Sequence, residues 1–126
     1  MFRETSIAAA EKAMSGLGTR MQAVAANIAN AETPGYRPRE VEFEAALREA
    51  IDRERGSRAP STSRPIENAS VQVRRQAVAP GADITIQLET QMTELARTNG
   101  HHEALTRVLG KHFRMLRSVI SGGSQS

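Results

Sequence analysis

The sequence predicts an all-α fold: long N- and C-terminal helices packed as an antiparallel coiled pair, a short middle helix, and a flexible or extended Pro/Ser-rich central segment. Three observations predict it. Apolar residues recur at heptad spacing near both ends of the chain. Three Phe, one Tyr and no Trp supply too little aromatic surface for a conventional globular core. In the middle, Pro and Ser replace the large apolar side chains.

Composition narrows the class of protein. A length of 126 residues predicts one domain. Seventeen Lys and Arg against 14 Asp and Glu give a formal charge of +3, and the cations are spread along the chain rather than concentrated as in a nucleic-acid footprint. The absence of Cys excludes disulfides, thiolate metal sites and cysteine nucleophiles. A small monomeric helical domain is the alternative to helices whose surfaces neighbouring subunits complete.

Residues 6–32 are predicted to form the N-terminal helix, because their apolar side chains alternate three and four positions apart. Such a narrow stripe favours packing against another helix rather than against a broad core. Gly16 and Gly18 each cost about 1 kcal/mol relative to Ala in a helix; they allow close approach or a kink, or they are tolerated weak points. The predicted assembly seam of this helix is Ile7, Met14, Leu17, Met21, Val24 and Ile28.

A Pro-Gly pair ends this helix. Pro34 disfavours the helical conformation at Thr33, and Gly35 supplies the positive φ of a type II turn, so we expect the helix to stop near Ala31 or Glu32. Residues 33–55 are then predicted to hold the turn, an extended stretch, and a short helix whose apolar residues begin at 41 and which ends near 53.

Residues 56–81 contain too few large apolar side chains to order themselves. Val71 and Val73 alternate with polar neighbours, which permits a short strand that would pair only inside an assembly. For the free protein we favour a flexible linker.

Residues 83–120 are predicted to form the C-terminal helix, with Asp83 as its N-cap and residues 121–126 as a disordered tail. At about 1.5 Å per residue it would be about 55 Å long, against about 36 Å for the first helix. Two heptad positions run along it, apolar at both ends and polar in the middle. The predicted seam residues are Leu88, Met92, Leu95, Leu109, Phe113, Leu116 and Ile120.

His101, His102 and His112 are the candidate metal ligands. Adjacent histidines on a helix point about 100° apart, and His112 lies about 16 Å along the axis from His101. That distance is too long for an ion whose ligand bonds are about 2 Å. We therefore expect no metal and no cofactor, and predict that His102 sets the helix register as a buried Asn can.

Arg107, Lys111 and Arg114 form a basic stripe on the same helix. A solvated face that complements the helix C-terminal dipole is favoured over nucleic-acid binding, because no aromatic residues are interleaved for stacking. A basic helical nucleic-acid-binding module stays as the second hypothesis. The chain has no G-x-S-x-G, P-loop or H-E-x-x-H motif, so no catalytic residues are predicted and an enzyme is not expected.

The helix stop also resembles a known signature. Residues 27–37, NIANAETPGYR, resemble the sequence near the N-terminus of bacterial flagellar rod, hook and hook-filament junction proteins. The segments VEFEAAL at 41–47, MTELAR at 92–97, EALT at 103–106 and FRMLRSVI at 113–120 are similar to the flagellar basal-body rod proteins in particular. The residues that carry the signature are Asn27, Asn30, Thr33, Pro34, Gly35 and Tyr36.

The resemblance implies a single rod-type domain over residues 1–126 and a structural role in the proximal rod, the hollow shaft that transmits torque and carries the export channel across the periplasm. Implied partners are other rod subunits, further copies of the chain, the rod-ring adaptor, the membrane ring and the type III export apparatus. We expect export without a cleaved signal peptide. We expect neither a nucleic-acid partner nor a small-molecule substrate. Marginal helices with narrow seams would gain stability mainly by packing on neighbours, which couples folding to assembly.

Overall fold

The computed structural model describes residues 2–56, 65–77 and 83–123, with only the backbone course given for residues 2–4, 86 and 123. Helix α1 spans Phe2–Ala29, strand β1 Arg39–Glu42, helix α2 Glu44–Gly56, strand β2 Gln72–Arg75 and helix α3 Ile84–Gly123. The long terminal helices and the short middle helix are confirmed. The chain is mostly helical, as predicted, but the all-α class is too narrow, because β1 and β2 form a small sheet.

The terminal helices pack against each other in opposite directions. Asn27, near the C-terminal end of α1, bonds to Gln91 near the start of α3. Further back along α1, Ala13 and Leu17 line the same groove as Leu105, which lies further forward along α3. Helix α1 also packs on β1 and α2, so it buries a wider face than the narrow stripe the sequence predicts.

The two strands pair antiparallel, with Val41 opposite Val73 and Glu42 opposite Gln72. Beyond the strand ends, the Gln76 N–H donates to the Pro38 carbonyl at 2.8 Å. A strand near Val73 was predicted to pair only in an assembly; its partner instead lies within the same chain. On the exposed face, Glu42 and Arg74 form an ion pair at 3.6 Å.

The core lies where α1, β1 and α2 meet. Phe43, 5% exposed, lies against Gly16, where a Cβ atom would come within 2.5 Å of the ring. Close approach is therefore the reason for this glycine, whereas a Cβ at Gly18 would meet nothing within 4 Å. The buried cluster comprises Leu17, Ala23, Val41, Phe43, Leu47, Ala50 and Ile66.

Ile66 belongs to the segment predicted to be unable to bury itself, yet it is 0% exposed. It sits in a turn over residues 65–68, where the Ala69 N–H donates to the Ile66 carbonyl. Lys12 of α1 donates to the neighbouring Glu67 carbonyl at 3.2 Å. One apolar side chain and one backbone tether thus fix this turn on the core. Residues 57–64 and 78–82, the rest of the predicted linker, lie outside the described residues.

The helix ends differ modestly from the predicted ones. Helix α1 ends at Ala29, and the next turn tightens, with the Ala31 N–H donating to the Ile28 carbonyl. Asp83 acts as the N-cap of α3, as its residue type predicts: its Oδ1 accepts a hydrogen bond from the Thr85 N–H at 2.9 Å. Helix α3 continues to Gly123, so the first part of the predicted tail is helical, and residues 124–126 lie outside the described chain.

Candidate functional site

Asn27 connects three parts of the fold through all the hydrogen bonds its side-chain amide can make. Its Oδ1 accepts from the Arg39 N–H at 2.8 Å and from the Tyr36 hydroxyl at 3.0 Å. Its Nδ2 donates to the Arg39 carbonyl at 2.9 Å and to Gln91 Oε1 at 3.0 Å. The residue is 3% exposed. The amide thus pairs with the outer edge of β1 as a neighbouring strand would, and also joins α1 to α3.

The Pro-Gly turn brings Tyr36 and Arg39 within hydrogen-bonding distance of that amide. Gly35 has φ +76° and the Tyr36 N–H donates to the Thr33 carbonyl at 3.2 Å, which confirms the predicted type II turn. Asn30 stabilises the approach to it, since its Nδ2 donates to the Ala26 carbonyl and its Oδ1 accepts from the Thr33 hydroxyl. The signature residues are therefore one structural unit, in which both asparagine side chains bond to backbone groups.

Arg20, about two turns before Asn27 on α1, bonds to the same edge of β1. Its Nη2 donates to the Val41 carbonyl at 2.7 Å, and its guanidinium lies 4.9 Å from the centroid of the Phe43 ring. It also pairs with Glu44 at the start of α2. Partial burial by itself raises the pKa of the Glu44 carboxyl, but hydrogen bonds from Arg20 and from the backbone N–H groups of Phe43 and Glu44 outweigh it and lower that pKa.

The predicted seam of α1 is buried or half-buried along its length, with Leu17 and Val24 the most buried. The predicted seam of α3 divides into two sets. Leu88, Leu95 and Leu109 are buried or half-buried on the side that packs on α1. The second set is exposed on the described chain: Met92 62%, Phe113 52%, Leu116 39% and Ile120 74%.

The second lane of the contact with α1 lies one residue before the predicted one. Gln91 and Leu105 are half-buried, and Thr98 is 1% exposed. Two of these three residues are polar, which is why hydrophobic spacing alone missed them. His102 is half-buried near them, and its role in register stays a prediction.

The described residues offer no arrangement for catalysis or metal binding. No cluster of three or more His, Asp or Glu side chains among them could hold an ion. An open cleft of about 430 Å³ between α1, β1 and α3 is lined by Arg20, Glu44, Arg97 and His101 among others, but it contains no nucleophile with a positioned base. None of the described helices is both long and apolar enough to cross a membrane.

Comparison with known proteins shows that the segment around Asn27 is similar to that of flagellar rod proteins. A family model described as "Flagella basal body rod protein" matches residues 7–37, which cover most of α1 and the whole Pro-Gly turn. The chain is 26% identical over 128 residues to "Flagellar basal body rod protein FlgB" of Salmonella typhimurium, covering 90% of this chain and 91% of that protein. The proteins of the same name from Bacillus subtilis and Escherichia coli are 25% and 23% identical, with the same coverage. The chain is thus similar to FlgB proteins over nearly its whole length.

The similarity to these proteins supports a structural rod component of the flagellum and not an enzyme. The family model ends at residue 37, just after Tyr36, whose hydroxyl donates a hydrogen bond to Asn27. The similarity to the FlgB proteins extends over nearly the whole chain, and therefore includes both terminal helices. The signature points to Asn27 and Tyr36, but it gives no sign of Gln91, the partner of Asn27 on α3.

Proposed function

We propose that this rod component belongs to the proximal rod and assembles through α1 and α3 into the hollow shaft that transmits torque and carries the export channel. Its length supports this placement, because the resembling distal rod and hook proteins carry a long domain inserted between their terminal helices, and these 126 residues leave no room for one between α1 and α3. The FlgB relatives that it matches are covered to 91% of their own length.

The division of the α3 seam is the observation that carries the proposal. One lane of apolar residues packs on α1, while Met92 and Phe113 of the other lane are 62% and 52% exposed. Scattered exposed apolar residues are common on soluble proteins, but Met92, Phe113 and Ile120 occupy one heptad position at the two ends of α3, which is the pattern of a helix-packing surface. A neighbouring subunit would cover it.

The same assembly defines the proposed partners and location. Other rod subunits and further copies of this chain would pack on the exposed lane, and the rod-ring adaptor and the membrane ring would meet the base of the shaft. The type III export apparatus would deliver the chain to the periplasm without cleaving a signal peptide. Chain recovered from isolated basal bodies would then show no loss of N-terminal mass beyond the initiator methionine.

The test introduces one carboxylate into the exposed lane. Met92→Asp should abolish motility and leave cells without rods, because a charge at a desolvated helix contact costs several kcal/mol. Thr93→Asp is the matched control, since Thr93 is exposed and lies one residue along the same helix, on the side away from α1. Both variants should have the circular dichroism spectrum of the parent chain. Normal rods with Met92→Asp would contradict the proposal, as would equal loss with Thr93→Asp.

A further inference from the structure

The small sheet has two edges, and side chains of the described residues close one of them. On β1, the side chain of Asn27 bonds to the N–H and the carbonyl of Arg39, and Arg20 bonds to the Val41 carbonyl. These two side chains take the place of a third strand on that side. On the other side of the sheet lies β2, whose four residues are all exposed.

The strand register shows which backbone groups form the outer edge of β2. The Gln76 N–H donates to the Pro38 carbonyl, so these two residues form a hydrogen-bonded pair. Hydrogen-bonded and non-hydrogen-bonded pairs alternate along an antiparallel ladder. Arg75, opposite Arg39, and Val73 therefore belong to non-hydrogen-bonded pairs, and their N–H and carbonyl groups point away from β1. No described residue bonds to these four groups.

Two arginines on one face of this sheet have no acidic partner among the described residues. Arg39 and Arg75 stand directly opposite each other, so their side chains lie on the same face, and both residues are exposed. Like charges directly opposite each other destabilise a sheet. On the other face, by contrast, Arg74 forms an ion pair with Glu42. A carboxylate beside Arg75 would relieve the repulsion between the two arginines.

The same face carries an uncovered aliphatic side chain two residues away from Arg75. Val73 is 51% exposed, whereas Val41, directly opposite it on β1, is 3% exposed. Residues two apart on a strand point to the same face. A strand added beyond β2 would therefore cover Val73 with the same side-chain row that meets Arg75.

We propose that the outer edge of β2 binds an extended acidic segment of another protein as a third strand of the sheet. The segment places a carboxylate opposite Arg75 and an aliphatic side chain opposite Val73. Its backbone pairs with the four open N–H and carbonyl groups, which is the mode of recognition that an exposed sheet edge offers. The contact uses no residue of α3, so it does not depend on the exposed lane assigned above to neighbouring subunits.

Pairing of β2 with β2 of a second copy is disfavoured by charge. The register that joins the outward-pointing residues of two antiparallel copies sets Val73 of each opposite Arg75 of the other. Arg74 then faces Arg74 of the second copy, which places like charges directly opposite. Arginines on an edge strand thus oppose self-association and select an acidic strand instead.

The probe is a peptide with the sequence Thr-Glu-Thr-Val-Thr-Glu-Thr and blocked ends, whose symmetry allows either strand direction. One control peptide has Lys in place of both Glu residues, and another has an N-methyl group on its Val, which removes a backbone donor. Each is titrated into the isotope-labelled full chain and followed by NMR. The acidic peptide should shift the amide signals of Val73 and Arg75, slow their hydrogen exchange, and bind at least about fivefold more tightly than either control.

A charge reversal tests the assigned position. Arg75→Glu should make the Lys peptide the tighter ligand, whereas Arg53→Glu, the same change at an exposed site on α2, should leave the preference for the acidic peptide unchanged. Equal binding of the N-methylated peptide would overturn the proposal, because it would show charge attraction without strand pairing. Unshifted amides of Val73 and Arg75 would also overturn it, and so would slow exchange of both amides in the chain alone, since the edge would already be occupied.

Discussion

Replacing Asn27 by Ala should destabilise the chain more than any other single change at the signature. The substitution removes four hydrogen bonds and strands the backbone N–H and carbonyl of Arg39, both partly buried. Each buried polar group without a partner costs about 1–3 kcal/mol. Tyr36 and Gln91 are half-buried and can turn toward water, so we expect a total loss of about 2–4 kcal/mol. That is a large share of the stability of a domain of this size.

Urea unfolding followed by circular dichroism at 222 nm measures this loss. With a slope of roughly 1–2 kcal/mol per molar urea, the midpoint should fall by about 1–4 M. Asn30→Ala is the control, since Asn30 is half-buried and its side-chain bonds to described residues all lie within its own turn. The cost of this substitution should stay near about 0.5–1 kcal/mol. Equal midpoints for the two variants would refute the role assigned to Asn27.

Three further changes test the core and its charged edge. Gly16→Ala should destabilise the folded chain, because the new Cβ would lie within 2.5 Å of the Phe43 ring. Gly18→Ala, whose Cβ meets open space, should stabilise it by about 0.5–1 kcal/mol. Shifts of the thermal unfolding midpoint in the same direction for both variants would contradict this packing. Ile66→Ala should cost about 2–4 kcal/mol in urea unfolding, since Ile66 is 0% exposed, and a loss below about 1 kcal/mol would show that the turn is not fixed on the core. The pKa of Glu44 is lower in the folded chain than its ordinary value of 4.5, so its stabilising effect is complete above that pH and is lost as the pH falls toward the folded pKa. Glu44→Gln should therefore flatten the acid limb of a stability-against-pH curve, and an unchanged limb would argue against the ion pair with Arg20.

The elements that sequence alone predicted are those with strong local signals. Heptad spacing marks both long helices, and Pro34 and Gly35 specify a turn whose φ the structure confirms. Asp83 caps α3 as its residue type predicts.

The elements that were missed depend on contacts distant in sequence. Strand β1 contains a single apolar residue, Val41, and is completed by side chains of α1 and by β2 more than 30 residues later. Ile66 gives no periodic signal, because it is a lone apolar residue in a polar segment. The polar lane of α3 that meets α1, including Thr98, is invisible to hydrophobic spacing.

The same limitation affected the candidate site. Asn27 was singled out by the signature, but its bond to Gln91 spans 64 residues and follows only from the antiparallel packing of the two helices. The exposed lane of α3 was predicted as a seam, and the structure of one chain leaves Met92 and Phe113 uncovered. What covers them is a property of the assembly.

Electron cryo-microscopy of isolated basal bodies tests the central claim most directly. We expect this chain in the proximal rod, with α1 and α3 antiparallel and with Met92, Phe113 and Ile120 buried against neighbouring subunits. Absence of the chain from the rod would contradict it, and so would a rod in which these three side chains face solvent.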